Sequence, residues 1–158
     1  MSALDSFDVR ILEALQVQGD MTMAELSERV HLSHSQCSRR VKQLRDTGLI
    51  RRFAAILDAT RLGLHLKAYI TVTLKHNSQT ATDFRALIRD TAEILECTMV
   101  TGDGDFLLKA YTRDLPHFRD LLDRLAQVDV VATMRSVIVI EDLKNTSALP
   151  VYPQAAAG

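Results

Sequence analysis

Apolar residues recur at helical spacing through the first fifty positions. Phe7, Ile11, Leu12 and Leu15 share one face behind a candidate cap at Asp5, and Gly19-Asp20 reads as the stop. Met23, Leu26 and Val30 repeat the pattern behind Thr22 and predict a short second helix ending at His31-Leu32. Ser33 then opens a third helix. Ser33-x-x-Gln36 has the form of a capping box, in which the hydroxyl accepts from an orphan N–H and the amide side chain returns to the cap. Gly48 closes that helix. A link of about four residues between the second and third helices is the length used in a helix-turn-helix. Beyond it, Leu49 to Leu57 (LIRRFAAIL) reads as extended, suited to a wing or an exit strand, and Asp58 to Gly63 as a linker turn.

From Leu66 the period falls to two: Leu66, Ala68, Ile70, Val72 and Leu74 alternate with Lys67, Tyr69, Thr71 and Thr73, as a strand with one buried face does. Residues 78 to 90 return to helix, Ile94 to Thr101 and Phe106 to Thr112 form a hairpin about Gly102-Asp103-Gly104-Asp105, Asp114 to Ala126 is helical, and Val130 to Ile140 is a last strand. The order β-α-β-β-α-β predicts an α+β chain whose second part is ferredoxin-like, with both helices on one sheet face. Tyr69, Leu107, Tyr111, Val137 and Val139 fall on the other face, which is too apolar to stay wet, so a homodimer through it is expected. The boundaries expected are 1–50 for the helical head, 51–64 for a linker or wing, 65–145 for the sheet domain and 146–158 for a tail with only its first part ordered.

Composition removes several classes. With 47% apolar and 25% charged residues among 158, and 6 Gly and 3 Pro, the chain is neither disordered nor low-complexity. No apolar run approaches 18 residues and no leader is readable, so a cytoplasmic protein without a membrane partner is expected. Cys37 and Cys97 are too far apart in sequence for a CxxC pair and are read as buried thiols.

The net charge of −1 conceals a local excess. Arg39, Arg40, Lys42, Arg45, Arg51 and Arg52 face only Asp46 between positions 39 and 52, a balance of +5. On a helical wheel Cys37, Val41 and Leu44 make the buried stripe of the third helix, and Ser35, Arg39 and Lys42 point the opposite way, with Ser38 and Gln43 more lateral. Such a face suits a DNA groove, since Arg donates in pairs to guanine while hydroxyl and amide groups bond phosphates and bases. The expected DNA-binding set is Ser33, Ser35, Gln36, Ser38, Arg39, Arg40, Lys42, Gln43, Arg51 and Arg52, with Arg40 nearest the core and suited to packing or a backbone contact.

Leu4-Asp5, Asp8, Ile11-Leu12, Leu26, Leu32-Ser33, Arg40-Val41, Leu44, Gly48-Leu49-Ile50 and Leu62-Gly63, followed by Thr101-Gly102-Asp103-x-Asp105-Phe106-Leu107-Leu108-Lys109 and Lys144, make a pattern that resembles the Lrp/AsnC, or feast/famine, transcriptional regulators from about residue 4 to Pro150. The resemblance implies a DNA-binding regulator whose C-terminal domain dimerises, assembles into octamers or related rings, and binds an amino acid or similar metabolite between subunits.

Two glycines in Gly102-Asp103-Gly104-Asp105 permit positive φ and free N–H groups, and the carboxylates suit an ammonium, although an Asp/Gly turn chosen for its geometry alone reads the same way. Carried over by resemblance, the effector candidates are Thr101, Gly102, Asp103, Asp105, Met134 and Ser136. Gly104 stands where the family is often bulkier and Met134 where threonine is common, so a roomier, less polar pocket wall is expected. No GxSxG, HExxH, Walker loop or GxGxxG before a helix occurs, so neither an enzyme nor a cofactor is expected. His31 and His34 lack a third ligand nearby, and no metal site is expected. The rival readings are a metabolite-sensing protein-interaction module without DNA binding and a small ferredoxin-like enzyme.

Overall fold

The computed structural model describes residues 4–75 and 81–153. The chain divides into two compact units, one of Met1–Ile56 with Lys144–Gly158 and one of Leu57–Leu143.

The first unit is built on three helices: α1 (Ser6–Val17), α2 (Met23–Val30) and α3 (His34–Asp46). Each begins with a reciprocal capping box, Asp5 with Asp8, Thr22 with Glu25 and Ser33 with Gln36, so two orphan N–H groups are satisfied at every start. Ile11, Leu15, Leu26, Val30, Cys37, Val41 and Leu44 bury one shared core. The turn between α2 and α3 is His31, Leu32 and Ser33. His31 adopts the left-handed region at φ 56°, and Leu32 N–H reaches Ser27 O at 3.0 Å while His31 N–H reaches Glu28 O at 3.3 Å, a Schellman closure. Leu32 then drops against the core and Ser33 caps the next helix, so three residues complete the reversal.

Residues 51–58, expected as a linker or wing, form no ladder with any described strand. An extended apolar run becomes a strand only when another edge takes its N–H and C=O groups, and Phe53, Ile56 and Leu57 remain exposed. In the first part of the expected tail, Val151 packs against the helical core, and Gln16 bonds the backbone of Leu149. Residues 154–158 lie outside the described residues.

In the second unit a short 3₁₀ turn (Thr60–Leu62) precedes β1 (Leu66–Leu74), α4 (Ala81–Asp90), β2 (Ile94–Met99), β3 (Phe106–Thr112), α5 (Leu115–Ala126) and β4 (Val131–Ile138). The part of the expected fourth helix at 78–80 lies outside the described residues. The sheet is antiparallel in the order β2-β3-β1-β4, the ferredoxin-like arrangement. Ala68, Ile70, Val72, Leu108 and Ala110 from the sheet pack on Phe84 of α4 and Phe118, Leu121 and Leu125 of α5. Registers Tyr69↔Val137 and Thr71↔Leu107 carry the uncovered face, as the alternation predicts. Cys37 is buried, whereas Cys97 on β2 is only half-buried because an edge strand has covering residues on one side.

Candidate functional site

The helical head presents α3 as a cationic, polar face. Ser33 Oγ accepts from Gln36 N–H at 3.3 Å, and Gln36 Oε1 accepts from Ser33 N–H at 3.2 Å. Both side chains therefore set the start of the helix, which leaves the Gln36 amide N–H groups and the adjoining Ser35 hydroxyl at its exposed N-terminal end. Cys37, Val41 and Leu44 are buried, and burial pushes the Cys37 thiol pKa up, so it serves as an apolar core group. Ser35, Ser38, Arg39, Lys42 and Gln43 are all exposed on the other side. Lys42 Nζ pairs with Asp46 at 3.2 Å in a solvent-exposed i, i+4 contact, weak enough to give way to a phosphate. Arg39 makes no ion pair with a described residue.

Arg40 corrects the expected DNA-binding set. Its Nη1 meets Asp8 Oδ1 at 2.7 Å and its Nη2 meets Asp5 Oδ2 at 2.8 Å, and the guanidinium lies 5.4 Å from the Phe7 ring centroid. Burial opposes the charge on Arg40, but hydrogen bonds to Asp8 and Asp5 outweigh it and its pKa is raised. Arg40 is thus the bolt between α3 and the cap of α1, its charge already spent on two carboxylates. Sequence position had placed it beside the core stripe; its partners 32 and 35 residues away decide what it does.

Arg51 and Arg52 are exposed on the segment that leaves the head. Arg45 lies with its guanidinium 6.0 Å from the Phe53 ring, a contact that orients the same segment against α3 and that wheel reasoning did not find.

In the sheet unit the β2–β3 hairpin is held from below. Asp105 N–H donates to Val72 O at 2.9 Å, Val100 N–H to Asp105 O at 3.0 Å, and Leu74 N–H to the Asp105 carboxylate at 2.7 Å. One carboxylate oxygen of Asp105 therefore anchors the loop to β1, so the residue is a support as well as a candidate ligand. Gly102 sits at φ 124°, a conformation only glycine adopts freely, and Thr101, Gly102 and Asp103 are exposed. The rows Phe106↔Val72 and Val72↔Met134 bring the hairpin and β4 to the same end of the sheet, two strand spacings apart. Ser136 lies two residues further along the same face of β4, opposite Ile70. Met134 and Ser136 share the helix side of the sheet, where Met134 packs against the core and Ser136 is exposed.

The expectation of extra room at Gly104 is overturned. Gly104 is buried, and a Cβ there would stand 2.3 Å from Thr71 Cγ2. The space that a larger residue would take is filled from β1, so within this chain the glycine leaves no pocket.

Among the described residues no group of three or more His, Cys, Asp or Glu is placed to hold a metal, and no helix is long and apolar enough to cross a membrane.

Comparison with known proteins agrees with both halves of this geometry. Residues 4–51 match the family described as winged helix-turn-helix DNA-binding, and residues 67–149 the Lrp/AsnC ligand binding domain. The chain is 38% identical to a leucine-responsive regulatory protein of Rhizobium meliloti, over 90% of this chain and 92% of that one. It is 36% identical to a proline dehydrogenase transcriptional activator of Rhizobium radiobacter, over 90% and 93%. A crystal structure of a transcriptional regulator from Neisseria meningitidis in complex with L-methionine superimposes with a TM-score of 0.90 at 40% identity, covering 93% of this chain and 96% of that one. A winged helix-turn-helix unit and an Lrp/AsnC ligand-binding domain are the two parts that match, and the chain belongs to the Lrp/AsnC family of transcriptional regulators, which join DNA binding to the binding of a small effector.

Proposed function

We propose that α3 enters the major groove with Ser35, Ser38, Arg39, Lys42 and Gln43 toward base edges and phosphates, that Ser33 and Gln36 present the helix N-terminus to the backbone, and that Arg51 and Arg52 reach flanking phosphates. The observation that carries this reading is the exposed face of α3: apart from Asp46 in the last turn, every outward side chain is cationic or a neutral hydrogen-bonding group. Held in place by Arg40, that face needs no rearrangement to dock.

The effector is an amino acid taken by Thr101, Gly102, Asp103 and Asp105 with Met134 and Ser136. Support comes from the methionine complex of the Neisseria relative and from the exposed, positive-φ hairpin at the end of the sheet where β4 begins. Chains pair through the uncovered sheet face and dimers assemble further. An effector seated between them shifts the spacing of heads, and a coupling of about 1–3 kcal/mol suffices to change occupancy at a promoter.

Two measurements test this. With six to ten phosphates neutralised, affinity for a duplex falls by about 10³–10⁵ between 50 and 200 mM salt; a flat salt response would remove the DNA interface. In a thermal-shift panel of the twenty amino acids, a ligand at a hundredfold its Kd adds about 2.7 kcal/mol. L-methionine is the first expected to register, and the shift disappears in Asp103→Asn while the unliganded Tm stays put. A panel with no responder overturns the effector assignment.

A further inference from the structure

On the sheet face that no helix covers, Lys67 Nζ pairs with Asp142 at 2.6 Å and Lys109 Nζ with Glu96 Oε1 at 2.9 Å. Arg135 has no such partner. It stands opposite Thr71 on β4, exposed on the face of Tyr69 and Val137, and makes no ion pair with a described residue. Glu96 is its counterpart at the far edge: the side chain is 61% exposed, and Oε2 takes no hydrogen bond from a described residue. In the order β2-β3-β1-β4 the two edges lie three strand spacings, or about 14 Å, apart, so one chain's guanidinium does not reach its own Glu96.

The ladder sets both residues at nearly one level along the strands. Arg135 opposes Thr71, Thr71 opposes Leu107 and Leu107 opposes Thr98, so Arg135 and Thr98 end one row, and Glu96 ends the next row on the same face. Two aligned sheets packed face to face about a two-fold axis through the middle of the face have two arrangements. An axis across the strands lays β4 over β4 and β2 over β2, which brings Arg135 toward its own copy and Glu96 toward its own copy. An axis along the strands lays β4 of each chain over β2 of the other, with Arg135 above Thr98 and beside Glu96 of the partner subunit, twice by symmetry. Sheets pack about 10 Å apart, a gap that an extended arginine and a glutamate close between them. Like charges meet in the first arrangement and opposite charges in the second.

We infer that Arg135 is a pairing-specificity residue whose guanidinium takes Glu96 of the partner subunit, so that Lys109, Glu96 and an incoming arginine form an ion network at each edge of the paired sheets. The inference rests on the reading that chains pair through this face, and it adds which residues select the partner. At the rim of an interface such a contact gives orientation and choice of partner more than affinity. A chain that brings a carboxylate to position 135 is rejected.

The test mixes full-length wild type with an isotope-labelled full-length double variant, Arg135→Glu with Glu96→Arg, lets subunits exchange at low salt, and counts two-chain species by native mass spectrometry. Each chain matches itself, whereas a mixed pair opposes two arginines at one edge and two glutamates at the other. Mixed pairs are expected at about one-fifth or less, against the half that random assortment gives, and to approach half at about 1 M salt as the charges are screened. A mixed fraction of half at low salt, while Val137→Asp still breaks the pair, removes the contact alone. A fraction above half sets the axis across the strands and overturns the inference. Arg135→Glu by itself decides the matter if the double variant fails to fold: its pair is expected to dissociate about tenfold more readily at low salt, since glutamates then meet at both edges, and an unchanged dissociation constant overturns the inference. Wild type that yields only single chains removes pairing through this face, and the contact with it.

Discussion

Two arginines adjacent in sequence have opposite duties. Arg40 is four-fifths covered and bonded to Asp5 and Asp8, whereas Arg39 is exposed and makes no ion pair with a described residue. Arg40→Ala leaves Asp8 with an uncompensated, partly buried carboxylate, and a loss of about 2 kcal/mol in urea unfolding is expected, with weaker DNA binding following from the disturbed helix. Arg39→Ala should leave stability within about 0.5 kcal/mol and instead lower the salt slope of DNA binding by about one per head. Equal stabilities for the two variants would mean that the Asp5–Arg40–Asp8 bolt contributes nothing. Glu93 makes a second such knot: its carboxylate takes Nε2–H of His117 at 2.9 Å and Nη2–H of Arg124 at 2.6 Å. Burial alone would raise its pKa, but the His117 bond, a backbone N–H and Arg124 outweigh that and hold it at about 2. A folded pKa below the unfolded value of 4.5 gives stability that is present above pH 4.5 and lost as pH falls toward 2. Urea unfolding of Glu93→Gln at pH 7, 4.5 and 2.5 should therefore begin lower than wild type and decline less across the acid window.

At the scale of elements, legibility followed the distance between partners. All three capping boxes join residues three apart, and Ser33 with Gln36 announced the start of α3 in the sequence. Alternation in β1 placed Ala68, Ile70 and Val72 inward because the strand pleat alone decides it. The LIRRFAAIL segment reads as extended but pairs with no described strand, since a strand needs a partner edge that local sequence does not encode. Gly104 misled for a related reason: its neighbour Thr71 lies on another strand, 33 residues earlier, and only the assembled sheet brings that methyl to the glycine. The clash is testable. Gly104→Ala should destabilise the sheet unit by about 1–3 kcal/mol, because Thr71 is β-branched on an interior strand with little freedom to retreat. Thr71→Ser deletes the obstructing Cγ2, so in a double-mutant cycle it should return most of that loss; a cycle with no coupling energy would show that another contact governs position 104.

For the whole molecule, the decisive surface is the sheet face that no helix covers. Val137 is 58% exposed and Leu107 37%, Tyr69 and Tyr111 share that face, and two of its cations, Lys67 and Lys109, are paired with Asp142 and Glu96. A specific interface needs about 800 Å² from each partner, and the pairing proposed through this face would cover residues that a solitary chain leaves in water. Val137→Asp isolates that claim. In a single chain the side chain is mostly solvated, so the substitution should barely move the urea midpoint of the separated subunit, whereas in a symmetric pair it buries two carboxylates against apolar neighbours. Sedimentation is expected to show the variant shifting toward the 17.7 kDa single chain. Its affinity for a duplex long enough to take several heads should fall, since heads no longer arrive together. A Val137→Asp protein that sediments like wild type would place the pairing surface elsewhere, and with it the source of cooperation between heads.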